Sequence, residues 1–403
     1  IQSYRSLFVA MLLHDIAKGQ KGDHSVNGSL IASIICPRLG LNKEETETVE
    51  WLVLNHLLMS KTAFRYELDD IKIINDFAKK IQSPERLRLL LVLTVADIKG
   101  VGPEIWNDWK GSLISELFIK TLGVLNMVEP KLKHLASVNN IKQNLMEHLS
   151  KISLKKNDAK EYCNAFYKNY WQIFNLPKMI QHSDIFTEMK RENKKFTIHI
   201  FNEIQSEATE LLVIAPDHHG LFSIISGLVA SSGYDVVNAK IITRSDGYAL
   251  DTFFIQNKER KVIADEYLKK RLIKIMHKGL EGNFNIEDAL NSRWKEIPAR
   301  FRAVKAPARV IIDNKTSDSY TILEVNCKNA PGVLYRITKV IAELGLQINT
   351  ASVSTYGDRV VDIFYVKNMF GLKIDDNLTI KKIKTHILKI LEETDPANQT
   401  MIS

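Results

Sequence analysis

Cysteine is scarce in this 403-residue chain: three residues, Cys36, Cys163 and Cys327, stand far apart and form no CxxC. That excludes a disulfide framework and a zinc ribbon, and it suits the cytoplasm. Proline is sparse too, at ten residues, and the remaining composition (45% hydrophobic, 25% charged) is that of ordinary globular protein. No run of about 18 apolar residues occurs, so no spanning helix and no membrane partner are expected. A signal-peptide pattern is also missing. The chain opens at Ile1 within an apolar pattern and without an initiator Met, so the expectation is a fragment whose N-terminal part lies upstream. Acidic charge is in the minority, with 55 Lys and Arg against 47 Asp and Glu, a net +8. The basic residues are spread out and mixed with acids. They lack the clustering that phosphate binding needs, and no DNA partner is expected.

At this length two to four domains are expected. Residues 1 to about 120 read as helices. Asn42 with Glu45 makes a capping box, and Val49, Leu52, Val53 and Leu57 follow at helical spacing. Ser83-Pro84 opens another helix, with Ser as cap and Pro in the first turn. A Lys-rich helical pattern continues from 120 to about 190, with aromatic anchors in YCNAFYKNYWQIF. Near residue 196 strand composition takes over, in FTIHIF and then ELLVIAP.

From there the sequence repeats itself at an offset of 112 residues: Gly220 matches Gly332, Ile225 matches Ile337, Gly233 matches Gly345 and Ala239 matches Ala351. One residue is lost in a hairpin, after which Asp251 pairs with Asp362 and Phe253 with Phe364. Each copy reads strand, Gly turn, helix, Gly stop, strand, polar turn, strand, Lys-rich helix. That is a βαββα unit, and two copies make two small α/β domains. SRWKEIPARFRAVKAPARV connects them.

The residues that carry chemistry gather in the first hundred positions. LFVAMLLHDIAK sets His14 beside Asp15 near the end of an apolar run, and His24, His56 and Asp97 follow. On a helix His14 and Lys18 share a face, with Asp15 one step around. His56 falls with Val49, Leu52 and Val53 on an apolar face, and Asp97 with Leu90, Leu93 and Thr94. A carboxylate on such a face is costly unless paired, hydrogen-bonded or metal-bound. Imidazole with carboxylate suits Zn²⁺, Mn²⁺ or Fe²⁺. Each residue alone has a plainer reading. His56 could be a satisfied core histidine, and Asp97 could cap a turn before Gly100 and Gly102. His24 could be a loop residue beside an Asp23 or Ser25 helix cap.

Taken together, LLHDIAKGQKGDHS (12–25), LNHLLMS (54–60) and VADIKGVGPEIWNDWK (95–110) resemble the HD phosphohydrolase superfamily. In that all-helical fold a His, an adjacent His-Asp pair and a distant Asp bind a catalytic divalent metal. With the duplicated module, these stretches look like the C-terminal portion of the bifunctional PII uridylyltransferase/uridylyl-removing enzyme family, along essentially the whole chain. The resemblance implies a multidomain α and α+β fold. An all-helical HD domain at 1–125 would be followed by a helical connector at 126–205. Tandem ferredoxin-like βαββαβ ACT domains at 206–285 and 319–395 would be joined by a linker at 286–318.

The same resemblance implies a divalent metal, Mg²⁺ or Mn²⁺, on His14, Asp15 and Asp97, with His24 and His56 serving a second ion. It makes Asp15 and Lys18 catalytic, Lys18 stabilising phosphate charge or protonating the leaving group. The implied reaction hydrolyses the uridylyl-tyrosine phosphodiester of uridylylated PII protein and releases UMP. The superfamily's first His should precede the HD pair by several tens of residues, which Ile1–Leu13 cannot supply. The family's nucleotidyltransferase domain is missing as well. Two alternatives stand beside this reading. One is an HD-type guanosine-tetraphosphate hydrolase, whose HD-x-x-E-D continuation is here HDIAKG. The other is a catalytically incompetent glutamine-sensing fragment.

The repeats resemble ACT domains, which bind amino acids at the turn between first strand and first helix. Here those turns hold Asp217, Gly220 and Leu221, and Asn329, Gly332 and Val333. Glycine permits close approach, and the N–H groups opening the helix can take a carboxylate. Asp235 and Gln347, before the second strands, fit a further polar contact. Asp217 and Asn329 could instead simply cap helices, and His218-His219 reads as solvent-facing. The family supplies glutamine as effector.

Overall fold

The computed structural model describes residues 1–102, 106, 108–126, 130–151, 156–167, 170–202, 208–296, 307–356 and 359–393. Part of the 95–110 stretch (103–105 and 107), and residues 297–306 of the connector between the repeats, therefore lie outside the described residues. The chain divides into two compact units, Ile1–Pro130 and Lys131–Ser403. No helix among the described residues is long and apolar enough to cross a membrane.

The first unit is helical: α1 (Tyr4–Leu13), α2 (His24–Arg38), α3 (Lys43–Asn55), α4 (Leu58–Arg65), α5 (Ile71–Ile81), α6 (Pro84–Val101) and α7 (Asp108–Leu125). The start signals act as the sequence anticipates. Asn42 and Glu45 form the reciprocal capping box of α3, and the Ser83 hydroxyl accepts from the Arg86 N–H to open α6. Leu7, Ala10, Leu13, Val49, Leu52, Val53, Leu87, Leu90 and Leu93 join one buried core. Gly28 lets α2 lie close on α3: a Cβ there would stand 3.0 Å from Val53 Cγ1.

The second unit opens with α8 (Pro130–Lys151), α9 (Lys156–Asn164), α10 (Tyr170–Ile173) and α11 (Leu176–Arg191). Eight strands then form a single sheet: β1 (Thr197–Asn202), β2 (Thr209–Pro216), β3 (Asp235–Thr243), β4 (Tyr248–Gln256), β5 (Arg309–Asp313), β6 (Thr321–Lys328), β7 (Gln347–Tyr356) and β8 (Arg359–Lys367). Their order is β1-β2-β4-β3-β7-β8-β6-β5, so the two repeats lie side by side and meet at β3 and β7. The first repeat contributes α12 (Leu221–Ser232) and α13 (Glu266–Leu280), followed by α14 (Ile286–Glu296). The second contributes α15 (Val333–Glu343) and α16 (Asn377–Glu393).

These helices cover one face of the sheet over Leu211, Val213, Phe253, Leu323, Val325 and Phe364. In the first repeat the opposite face is covered too: Leu212, Ile214, Ile242 and Leu250 pack on Tyr162, Phe166, Phe186 and Met189 of the connector. Burial on both faces explains why β2 reads as a continuous apolar run rather than an alternating one. The Arg244 guanidinium is enclosed there by Tyr162, Phe166 and Phe186 and paired with Asp246.

The βαββαβ pattern places a fourth strand after the second helix. Here the edge of β2 is taken by β1 and that of β6 by β5, both antiparallel and both upstream of their repeats. A sheet edge needs a partner for its N–H and C=O groups, and the chain supplies one from the N-terminal side. The sheet therefore begins before residues 206 and 319, inside the stretches that the sequence reading assigned to connector and linker.

Candidate functional site

Four helices of the first unit meet at their ends around Asp15. The buried stripe of α1, Leu7 and Ala10, carries on to His14 just past the last helical residue. The chain then tightens into i→i+3 turns, with Ile16 N–H on Leu13 O at 3.1 Å and Lys18 N–H on Asp15 O at 2.9 Å. His14 and Lys18 thus do not share an α-helical face, as the sequence suggested. Instead Lys18 reaches back to Asp15, with Nζ 2.6 Å from Oδ2, while its side chain stays 71% exposed. Asp23 caps α2 by accepting from the Ser25 N–H at 2.8 Å, which makes His24 the first helical residue. His56 follows the end of α3 on the same buried stripe as Thr46, Val49 and Val53. Asp97 lies inside α6, which runs on to Val101, so it is not the cap of a turn before Gly100.

The donors converge. His14 Nε2 is 3.3 Å from Asp97 Oδ1 and 3.7 Å from Asp15 Oδ2. The other oxygen of Asp15 is 3.6 Å from His24 Nε2 and 3.9 Å from His56 Nε2, and those two nitrogens are 3.4 Å apart. Two triads result, His14–Asp15–Asp97 and Asp15–His24–His56, and Asp15 belongs to both. His14 Nδ1 is 2.8 Å from Met11 O and His56 Nδ1 is 2.7 Å from Val53 O. With Nδ1–H donating to those carbonyls, each Nε2 is turned to the centre, and in the neutral ring it offers a lone pair there. His56 is fully buried, and the other four side chains are 20–30% exposed, so the centre opens to one side.

The electrostatics set the two rings apart. The hydrogen bond to Asp97 holds the His14 imidazole above its ordinary range although burial works against it. Burial pushes His56 down, towards the neutral form that binds metal. Burial would raise Asp15, but the Lys18 hydrogen bond and the His14 charge outweigh it and keep the carboxyl below its usual range. Three imidazole nitrogens and two carboxylates are a donor set that fits Zn²⁺, Mn²⁺ or Fe²⁺.

The amino-acid turns of the second unit are also in place. Gly220 and Gly332 precede α12 and α15 with φ of 85° and 75°, a conformation favouring glycine, and neither helix has a side-chain cap. Asp217 and Asn329 are therefore not helix caps, and Asp217 Oδ2 accepts from Thr243 Oγ1 at 2.9 Å. The N–H groups of Leu221 and Val333 are already used within the turns, on His218 O and Ala330 O at 3.1 Å. The donors left for a carboxylate thus start one residue later, at Phe222 and Leu334. Asp235 and Gln347 open β3 and β7 and are exposed. His218 and His219 are exposed, and His219 Nε2 also sits 2.5 Å from the Ala342 carbonyl of α15.

The sequence reading did not find that Asp15 is common to both triads, nor the contacts of α14 described below. A tandem repeat was the available signal for the latter, since duplicated turns raise the question of what faces each.

The family model described as "HD domain" matches residues 5–98, and that described as "ACR family N-terminal ACT domain" matches residues 316–393. The bifunctional uridylyltransferase/uridylyl-removing enzyme of Gluconobacter oxydans is 40% identical over 402 residues, which is 99% of this chain and 42% of that protein. The enzyme of the same name from Rhodospirillum rubrum is 40% identical over 399 residues, and that from Azospirillum brasilense 39% over 397. Each of these matches covers 98% of this chain, and the chain spans 42% of the length of the curated relatives. No solved structure matches the chain.

Proposed function

Because this chain belongs to the bifunctional uridylyltransferase/uridylyl-removing enzymes and corresponds to their C-terminal part, we propose that its helical unit is the uridylyl-removing centre. It hydrolyses the phosphodiester between UMP and a tyrosine of PII protein. The observation that carries this reading is the convergence of His14, Asp15, His24, His56 and Asp97 in two triads.

Divalent cations, of which Mn²⁺ matches the donor set better than Mg²⁺, would be held by the two triads and would supply an activated water and positive charge for the phosphoryl oxygens. Met11 O and Val53 O orient the His14 and His56 rings. Asp15 holds Lys18 protonated by their hydrogen bond, which raises the ammonium above its ordinary range. From the open side of the centre Lys18 can meet the phosphate and, as an ammonium, stabilise the negative charge that builds on the phosphoryl and departing tyrosine oxygens. Water adds to phosphorus, the P–O bond to tyrosine breaks, and UMP and free tyrosine result. Glutamine, bound at the turns of the ACT repeats, regulates the reaction.

UMP release from uridylylated PII, measured with Mn²⁺ or Mg²⁺, tests the reading. Asp97→Ala should abolish release while the circular dichroism spectrum stays unchanged. Undiminished release would remove Asp97 from the centre, and release of pyrophosphate from guanosine tetraphosphate instead would reassign the substrate.

A further inference from the structure

The two repeats are related by a local two-fold axis. Ala239 pairs with Ala351, its own counterpart, where β3 meets β7. Ser226 Oγ lies 3.4 Å from Thr338 Oγ1, again its counterpart, where α12 meets α15. The axis brings each glycine turn to the far end of the other repeat's helix, as the contact of His219 with Ala342 records. Two equivalent clefts follow. One lies between Asp217–Leu221 and Gly345–Gln347, the other between Asn329–Val333 and Gly233–Asp235.

The symmetry ends at α14. Its Leu290 is fully buried on the second cleft, where a Cβ on Gly332 would stand 2.5 Å from Leu290 Cδ1. One turn further along, Arg293 lies over Gly233, where a Cβ would stand 2.5 Å from Nη1. That guanidinium also points at Ser231 O, 3.5 Å away, and its charge acts on Asp235. Residues three apart share a helix face, so one face of α14 spans both walls of the cleft. Glu287 of the same helix pairs with Lys339 of α15 at 3.2 Å.

In the first cleft the counterpart glycines are open among the described residues. A Cβ on Gly220 would meet only Ser223 Oγ, at 3.6 Å, and one on Gly345 nothing within 4 Å. Asp251 is fully buried beneath this cleft with no partner for its Oδ1, as its counterpart Asp362 is in the second repeat. Only Asp251, however, lies within electrostatic reach of a turn carboxylate, Asp217, whose place is taken by Asn329 in the second turn. Open backbone donors beside carboxyl groups suit a zwitterion, with its carboxylate on the helix N–H groups and its ammonium on the acidic side.

We propose that α14 is a built-in occupant of the second cleft, so that the paired repeats take one small amino acid, in the first cleft, between Asp217–Leu221 and Gln347. This rests on the reading of the turns as effector sites and adds which of them is used.

Titration calorimetry of the whole chain with glutamine should give one equivalent, and two would overturn the proposal. Gln347→Ala should weaken binding about tenfold or more, whereas Asp235→Ala should leave it unchanged; the reverse pattern would also overturn it. Leu290→Ala combined with Arg293→Ala should raise the stoichiometry to two, and a value that stays at one would refute occupancy by α14. Leu290→Cys reads the plug without effector. The native cysteines are buried, so the introduced thiol should resist iodoacetamide until the chain unfolds, and rapid labelling would refute the seating of α14. A protected thiol with no glutamine binding would instead sink the effector reading, while leaving α14 seated.

Discussion

Asp362 offers a test of the second repeat that is independent of any ligand. Its carboxyl is fully buried on the helix-covered side of β8, and neither oxygen has a hydrogen-bond partner. Burial pushes its pKa from 3.8 up to about 7. The Cys327 thiol on β6 is the titratable group that interacts with it, and burial together with the Asp362 charge raises that thiol too. The folded chain therefore holds the Asp362 proton more tightly than the unfolded chain. That contribution is complete below the unfolded pKa and is lost as pH rises through the folded one. At 1.36 kcal/mol per pH unit, the loss between pH 5 and pH 8 is about 3 kcal/mol. Asp362→Asn carries no titrating proton, so its stability relative to the parent should improve by that amount over the same interval. Whatever the buried amide costs is the same at both pH values and drops out. Urea unfolding, read through hydrogen exchange of β6 and β8 amides, measures the difference. The reasoning fails if the difference between variant and parent changes by less than about 0.5 kcal/mol, or if it changes in the opposite direction.

Gly28→Ala should cost about 1–3 kcal/mol by overpacking, because the new methyl meets Val53 at 3.0 Å. It should also weaken metal binding, since α2 and α3 carry His24 and His56; calorimetry with Mn²⁺ reads both effects, and unchanged affinity would count against a rigid α2–α3 contact. Lys120→Ala leaves the nearly buried Asp69 without the ammonium that stands 2.5 Å away. Partial exposure of Lys120 discounts the loss to about 2 kcal/mol, and a thermal midpoint equal to the parent's would show the pair to be neutral. Asp15→Asn should lower the number of bound Mn²⁺ ions to zero, because both triads share that carboxylate; retention of one ion would show that one triad suffices without it.

Some of this was legible in the sequence, and for identifiable reasons. Helix starts at Asn42 and Ser83 were readable because capping is local chemistry between residues three apart. His56 and Asp97 stood out because each is a polar residue on an otherwise apolar helix face. The repeat was readable from Gly220 and Gly332, since both turns need the left-handed backbone that glycine adopts. Other features depend on contacts that spacing does not encode. The turn that ends α1 after Leu13 moved Lys18 off the expected face and onto Asp15. The edge strands β1 and β5 are ordinary apolar stretches whose partners lie within the repeats. Leu290 and Arg293 look like any amphipathic pair, and only the packing of α14 across α12 and α15 distinguishes them.

The candidate metal centre owes its geometry to helix ends rather than to a contiguous motif. The last carbonyls of a helix lack intrahelical partners. Met11 O belongs to the final turn of α1, and Val53 O to that of α3. His14 and His56 take those carbonyls with Nδ1, at 2.8 and 2.7 Å. The bond that completes each helix end therefore also fixes the ring and turns Nε2 to the centre. At the start of α2 the Asp23 cap leaves His24 as the first helical residue, facing His56. Asp15 needs no such partner, because it sits in the turn that follows α1 and is reached by both sets of nitrogens. The adjacent His14-Asp15 pair is thus more than two neighbouring side chains. The histidine closes the helix, and the next residue, one step around, carries the carboxylate across to the second triad.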